Sequence, residues 1–140
     1  MYRIVYMSQT PQRLSDADLD AILADTATHA EEADLGGLLI YARNTFFQVI
    51  EGKRRQVEAV FNRVFMDPRH QRVRVFQQRA IAGRRFEGFA MGFRRRGGGP
   101  APDGFFELSR TALKERIPQD AAEDLRNLIR GYGDVKVRTA

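Results

Sequence analysis

The sequence has 140 residues, 43% of them apolar, no cysteine, and 23 Lys and Arg against 18 Asp and Glu, for a net charge of +5. This size and apolar content suit one domain around one core. The lack of cysteine excludes disulfide staples, thiolate catalysis and Cys-ligated zinc or iron–sulfur centres. No signal-like leader and no run near the ~20 apolar residues that span a bilayer are present, so a soluble cytoplasmic protein with no membrane partner is expected.

Tyr2 to Ser8 alternates, with Tyr2, Ile4, Tyr6 and Ser8 on one face and Val5 and Met7 on the other, and reads as a first strand closed by Thr10-Pro11. Ser15 is an N-cap with Asp18 three residues on, and Leu19, Ile22, Leu23, Thr26 and Ala30 form a helical stripe, so a first helix is predicted from about Ser15 to Ala33. Leu35–Ala42 and Thr45–Glu51 read as two strands of a hairpin turning at Arg43-Asn44. After Gly52, the spacing of Val57, Val60, Phe61, Val64 and Phe65 predicts a second helix that stops before Pro68. Val73, Val75 and Gln77 suggest a fourth strand, and Gly88–Phe93 a fifth.

The order βαββαβ with an additional fifth strand predicts an α+β fold, a ferredoxin-like sheet with both helices on one face. Residues 1–93 are the expected domain. Residues 94–104, with the run RRRGGGPAPD, read as a Gly/Pro linker. Residues 105–140 are expected to form a C-terminal helical extension: Phe105, Phe106, Leu108 and Leu113, then Leu125, Leu128 and Ile129, mark two short amphipathic segments. Their apolar faces need the free face of the sheet or another protein chain.

Charge is divided along the chain. Residues 14–42 hold seven acidic residues and no Lys or Arg, whereas residues 43–96 hold fourteen basic residues against four acidic. Solvated surface is the ordinary meaning of such charge, and no recognised motif accompanies it, so nucleic acid is not the expected partner. His29 and His70 are the two histidines and neither has a second ligand at metal spacing, so no metal site is expected. Acylphosphatase chemistry, known on this type of sheet, needs a phosphate-cradling loop. The loop 8–14 carries Arg13 but lacks the glycines for one, so no enzymatic activity is expected.

The segment FFQVIEG, residues 46–52, poses the sharpest question. Gln48 shares a face with Phe46 and Ile50, and a buried amide without partners costs roughly 1–3 kcal/mol. Its motif, Phe47-Gln48-x-x-Glu51-Gly52, stands with several others: Tyr6 and Ser8 in IVYMS, Leu14-Ser15 with Asp18-Leu19, Gly37-Leu38-Leu39-Ile40-Tyr41, Asp67-x-Arg69-His70-x-x-Val73, and Arg85-Phe86-x-x-Phe89-x-Met91-Gly92-Phe93. Taken together, in this order over residues 1 to about 93, they resemble the BLUF domains, flavin-based sensors of blue light.

The resemblance implies FAD as cofactor, with its ring between the two helices and Gln48 between the flavin edge and the Tyr6 hydroxyl. Light would drive electron and then proton transfer from Tyr6, and the return would leave Gln48 rotated or tautomerised. Met91 and Phe89 match the strand positions that feel this switch; some members carry Trp where this chain has Phe89. Ser8, Arg69 and His70 match positions around the flavin. His29 and Ala30 fall where the family ordinarily carries asparagine, and Ala30 cannot make the amide's bond. Gly36 stands where Thr is usual. The implied function is a blue-light photoreceptor of the short, effector-less type, an expected homo-oligomer signalling to an unidentified downstream protein. The alternative is a BLUF-fold interaction module with weak or no flavin binding, because of Ala30.

Overall fold

The computed structural model describes residues 1–11, 14–93 and 105–137, in the order β1 (Tyr2–Gln9), α1 (Asp16–Glu32), β2 (Gly36–Ala42), β3 (Thr45–Gly52), α2 (Arg54–Met66), β4 (Gln71–Ala80), β5 (Phe89–Phe93), β6 (Phe105–Glu107), α3 (Arg110–Arg116) and α4 (Glu123–Tyr132), closed by a π-helical turn, Gly133–Val137. The expected linker at 94–104 lies outside these residues, as do Arg13 and the Arg94–Arg96 cluster.

The strands form one sheet in the order β4-β1-β3-β2-β5-β6, whose first four positions are the ferredoxin-like arrangement. β1 pairs antiparallel with β3 and β4, β2 antiparallel with β3, and β5 runs parallel to both β2 and β6. The β2–β3 turn places Arg43 and Asn44 at φ of 51° and 60°, the left-handed pair that matches hairpin twist. Gly36 and Gly37 allow β2 its close neighbours: a Cβ at Gly36 would lie 2.1 Å from the Phe86 carbonyl oxygen, and one at Gly37 1.9 Å from that of Val49.

Alternation sorts the sheet residues as expected. Tyr2, Ile4, Tyr6, Phe46 and Ile50 face the layer of α1 and α2, packing with Leu19, Ile22, Leu23, Ala30 and Val57. Ser15 caps α1 by accepting the Asp18 N–H at 3.1 Å. Val5, Leu38, Ile40, Phe47 and Val49 face the other way and share a core with Leu108, Leu113, Leu125, Ile129 and Tyr132. The C-terminal segments therefore cover the free face of the sheet in this chain itself.

Three particulars depart from the sequence reading. Phe105–Glu107, read as part of a helical extension, is a sixth strand that extends the sheet beside β5. β4 runs on to Ala80, and register shifts against β1 interrupt its alternation. Phe65, placed on the apolar stripe of α2, is 60% exposed while Val57 is buried.

Buried charge is fully paired. Glu51, 0% exposed, accepts from Arg3 Nε at 2.7 Å and from the backbone N–H groups of Arg85 and Phe86 at 2.7 and 3.0 Å. A carboxylate so enclosed persists only with that many donors. Here it ties β3 to the turn that leads into β5.

Candidate functional site

The antiparallel register sets Tyr6 opposite Gln48, Gln48 opposite Leu39 on its other side, and Leu39 opposite Met91. One row across the helix-facing side of the sheet thus carries Tyr6, Gln48 and Met91, with Leu39 between the last two. The Tyr6 hydroxyl is wholly buried and donates to Gln48 Oε1. Burial pushes the phenol well above its ordinary range, so it keeps its proton and can donate. The Tyr6 ring stands edge-on to Phe61 of α2, with centroids 5.1 Å apart.

The other end of the amide is the telling feature. Gln48 is 2% exposed and its Nε2 is buried with no hydrogen-bond partner, the single such side-chain atom among the described residues. Gln48 lines a cleft between α1 and α2. Ile22, Asp25, Thr26 and His29 contribute from α1, and Val60, Arg63, Val64 and Asp67 from α2 and its end. Both sets follow the spacing i, i+3, i+4, i+7, one stripe of each helix. Thr26 was read from the sequence only as a member of the α1 stripe, and Asp25 and Arg63 were not singled out. The signal that could have found these two is that spacing, because each borders an apolar stripe at helical intervals.

Arg69 and His70, in the turn after α2, also line the cleft. Arg69 is held by Asp67 through contacts of 2.7–3.1 Å and lies 4.0 Å from Asp25 on α1. The hydrogen bond from the Arg69 guanidinium holds the Asp67 carboxyl below its usual range. His70 Nδ1 is 2.7 Å from the buried Ser8 Oγ, and its ring lies 4.8 Å from that of Phe46. Burial lowers the His70 pKa to about 4, the nearby Asp67 charge opposing the shift only in part, so the ring is neutral at pH 7.

The structure therefore brings Tyr6, Ser8, Gln48, His29, Arg69 and His70 to one place. Ala30 is not at the cleft surface. It is buried at 3% exposure in the cluster of Tyr2, Ile4, Tyr6, Leu35, Ile50 and Val57. Met91 is buried with Leu39 and Leu23, and half-buried Phe89 packs against both apolar clusters on this side.

A planar heteroaromatic ring with acceptor atoms along its edge fits this donor set: the unpartnered Gln48 Nε2 would gain a bond, and His29, Thr26 and Arg63 offer further polar atoms. The cleft encloses about 60 Å³, below the roughly 300 Å³ at which small-molecule pockets begin, so a three-ring group would fit there only with α1 and α2 further apart. The Arg69–Asp25 contact is the exposed ion pair that must give way, and such pairs contribute little. Among the described residues no group of three or more His, Cys, Asp or Glu could hold a metal ion. No described helix is long and apolar enough to cross a membrane.

Comparison with known proteins bears on the fold and the family. A photoactivated adenylate cyclase subunit alpha of Euglena gracilis is 33% identical over 86 residues, which are 60% of this chain and 8% of that protein. The structure of Klebsiella pneumoniae BlrP1 with FMN and cyclic diGMP superposes with a TM-score of 0.72 at 27% identity, over 96% of this chain and 34% of that one. The ground state of BlsA matches in fold, with a TM-score of 0.64 at 20% identity over 96% and 87% of the two chains. This chain thus spans less than a tenth of the cyclase subunit and about a third of BlrP1. The family model for sensors of blue-light using FAD matches residues 1–92, and the chain belongs to this BLUF family, whose cofactor is FAD.

Proposed function

We propose that this chain is a blue-light photoreceptor that holds FAD in the α1/α2 cleft and signals to a partner protein through the hydrogen bonds of Tyr6 and Gln48. The observation that carries the reading is the buried Gln48 amide, with Oε1 bonded to Tyr6 and Nε2 unpartnered beside the cleft. FAD when bound supplies the blue absorption and an electron acceptor. Tyr6 is the donor, buried and still protonated. Gln48 is the relay, because its amide presents two donors and an acceptor and can exchange their places without a change of charge. In one orientation it accepts from Tyr6 and donates to the cleft; reversed, it offers its oxygen to the cleft and its N–H groups to Tyr6. His29 and the neutral His70, steadied by Ser8, hold polar atoms around the ring, and Arg69 supplies positive charge. Leu39 and Met91 stand next along the row, so a turned amide presses toward β5. Cyclase activity and binding of cyclic diGMP are stated of the larger relatives.

The test is a pair of variants read by light-minus-dark absorption. Gln48→Leu keeps the apolar shape and removes every donor and acceptor, so flavin is retained and the light-induced red shift is lost. Tyr6→Phe also loses the shift while its ring still packs on Phe61. A normal reversible shift in Gln48→Leu would remove Gln48 from the switch.

Ala30 favours a second reading, a protein-interaction module of BLUF fold with weak flavin binding. An amide missing from the flavin edge weakens binding by roughly 1–3 kcal/mol, up to about a hundredfold. Because Ala30 packs into the apolar wall beside Tyr6 and Leu35, Ala30→Asn is expected to leave the flavin-to-protein absorbance ratio of the purified protein unchanged or lower it. A raised ratio would put position 30 at the flavin edge and favour this second reading.

A further inference from the structure

On the opposite face of the sheet, directly behind the Tyr6–Gln48 pair, α4 does not close fully onto the strands. Met7 and Phe47, the chain neighbours of Tyr6 and Gln48, are themselves register partners and form with Phe76 the floor of a second cavity of about 270 Å³. Leu128 and Tyr132 of α4 form its wall, and Gly131 and Lys136 stand at its mouth. The Tyr132 ring lies 5.1 Å from that of Phe47, and the Arg74 guanidinium 5.2 Å from that of Phe76. The lining is thus mostly aromatic and aliphatic, with Asn127 and Lys136 as its polar members, and Arg74 lies outside it over the Phe76 ring. Neither Lys136 nor Arg74 has an ion-pair partner among the described residues.

Gly131 makes this more than a packing defect. Glycine is the least favourable residue after proline inside a helical run, and here the run continues through the π-helical turn to Val137. No backbone demand explains it: its φ is not in the left-handed region, and a Cβ there would meet nothing within 4 Å. Its bare backbone lines the cavity, and a side chain there would enter open space.

We propose that this cavity binds a small apolar molecule bearing one carboxylate, its body against Met7, Phe47 and Phe76 and its charge at Lys136 and Arg74. A single anion with a desolvated apolar body matches a cavity lined mostly by apolar side chains, with one cation, Lys136, in its lining and a second, Arg74, over the Phe76 ring. The volume, just below the roughly 300–1,000 Å³ of drug-sized pockets, limits the occupant to a medium-chain fatty acid or a one-ring aromatic acid. The proposal stands independently of flavin, since no residue of the α1/α2 cleft takes part.

Octanoate is the probe, with octylamine as its charge-reversed control, titrated into the full chain in the dark. The four methionines, carrying labelled methyl groups, report position: Met7 is at the cavity, Met91 on the other face, and Met1 and Met66 exposed. The expected result is a saturable shift of the Met7 methyl resonance alone, with octanoate half-saturating at a concentration at least tenfold below octylamine. Lys136→Gln should erase most of that preference. Gly131→Leu should abolish the shift while the thermal midpoint holds or rises, which separates a blocked mouth from a damaged fold. Equal responses to the two probes, a non-saturating drift of all four methionines, or unchanged binding in Gly131→Leu would overturn the assignment.

Discussion

His70 shows how one buried side chain ties the site to solution conditions. Its ring sits against Phe46 and Ser8, where desolvation favours the neutral form and lowers its pKa to about 4. In the unfolded chain the same imidazole titrates near 6.5. Between these values the unfolded state binds the additional proton, so the stability of the flavin-free protein falls as pH drops from about 6.5 to about 4 and is insensitive to this group outside that window. The full shift corresponds to an upper limit of roughly 3 kcal/mol, reduced by the partial exposure of the ring. Urea midpoints measured at pH 7 and pH 4.5 should differ by less in His70→Gln than in the parent. An equal difference would place the acid sensitivity elsewhere. Gln48 was visible from FFQVIEG as a polar residue on an apolar face; alternation put Tyr6 on a strand face, but Tyr6 as the partner of Gln48 came only through the resemblance to BLUF domains. That Ala30 turns into the wall rather than the cleft was not visible, because a helical stripe of width i to i+8 includes both directions and only packing against Tyr6 and Leu35 decides between them.

At the scale of elements, β3 is the central member. Its helix-facing residues include Gln48, bonded to Tyr6, and its opposite residues carry the C-terminal layer. The Tyr132 hydroxyl of α4 donates to the Thr45 carbonyl oxygen at 2.8 Å in a buried position, while its ring packs on Phe47. Tyr132→Phe keeps that ring and leaves a buried carbonyl short of its donor, so a loss of about 1–2 kcal/mol is expected with an unchanged denaturant slope. A neutral result would mean that water replaces the hydroxyl. The strands were legible wherever residues alternate between two covered faces, as in β1, β2 and β3. β4 was legible only in its first half, since register shifts break its period, and β6 hardly at all: three residues of Phe-Phe-Glu suit a short strand or the start of a helix equally, and pairing to β5 decides.

The whole molecule is held as helices, sheet and helices, with α3 and α4 completing a core that residues 1–93 leave open. Leu108, Leu113, Leu125 and Ile129, each nearly or fully buried, bury apolar surface worth roughly 1.5–3 kcal/mol apiece as an upper estimate. That sum rivals the ~5–15 kcal/mol of a whole domain. A chain cut after Phe93 is therefore expected to lose its cooperative thermal transition and to expose Val5, Leu38 and Val49. A sharp transition close to that of the parent would show that the sheet stands without its second layer.

The central claim is that the Tyr6–Gln48 pair serves a bound flavin as a light switch. The most direct measurement is the visible absorption spectrum of the full chain purified with excess FAD, recorded in the dark, after blue illumination, and again in the dark. The expected result is a yellow protein with non-covalent flavin whose spectrum shifts slightly to the red in light and recovers in the dark. A protein that stays colourless with excess FAD, or a bound flavin whose spectrum does not move, would contradict it.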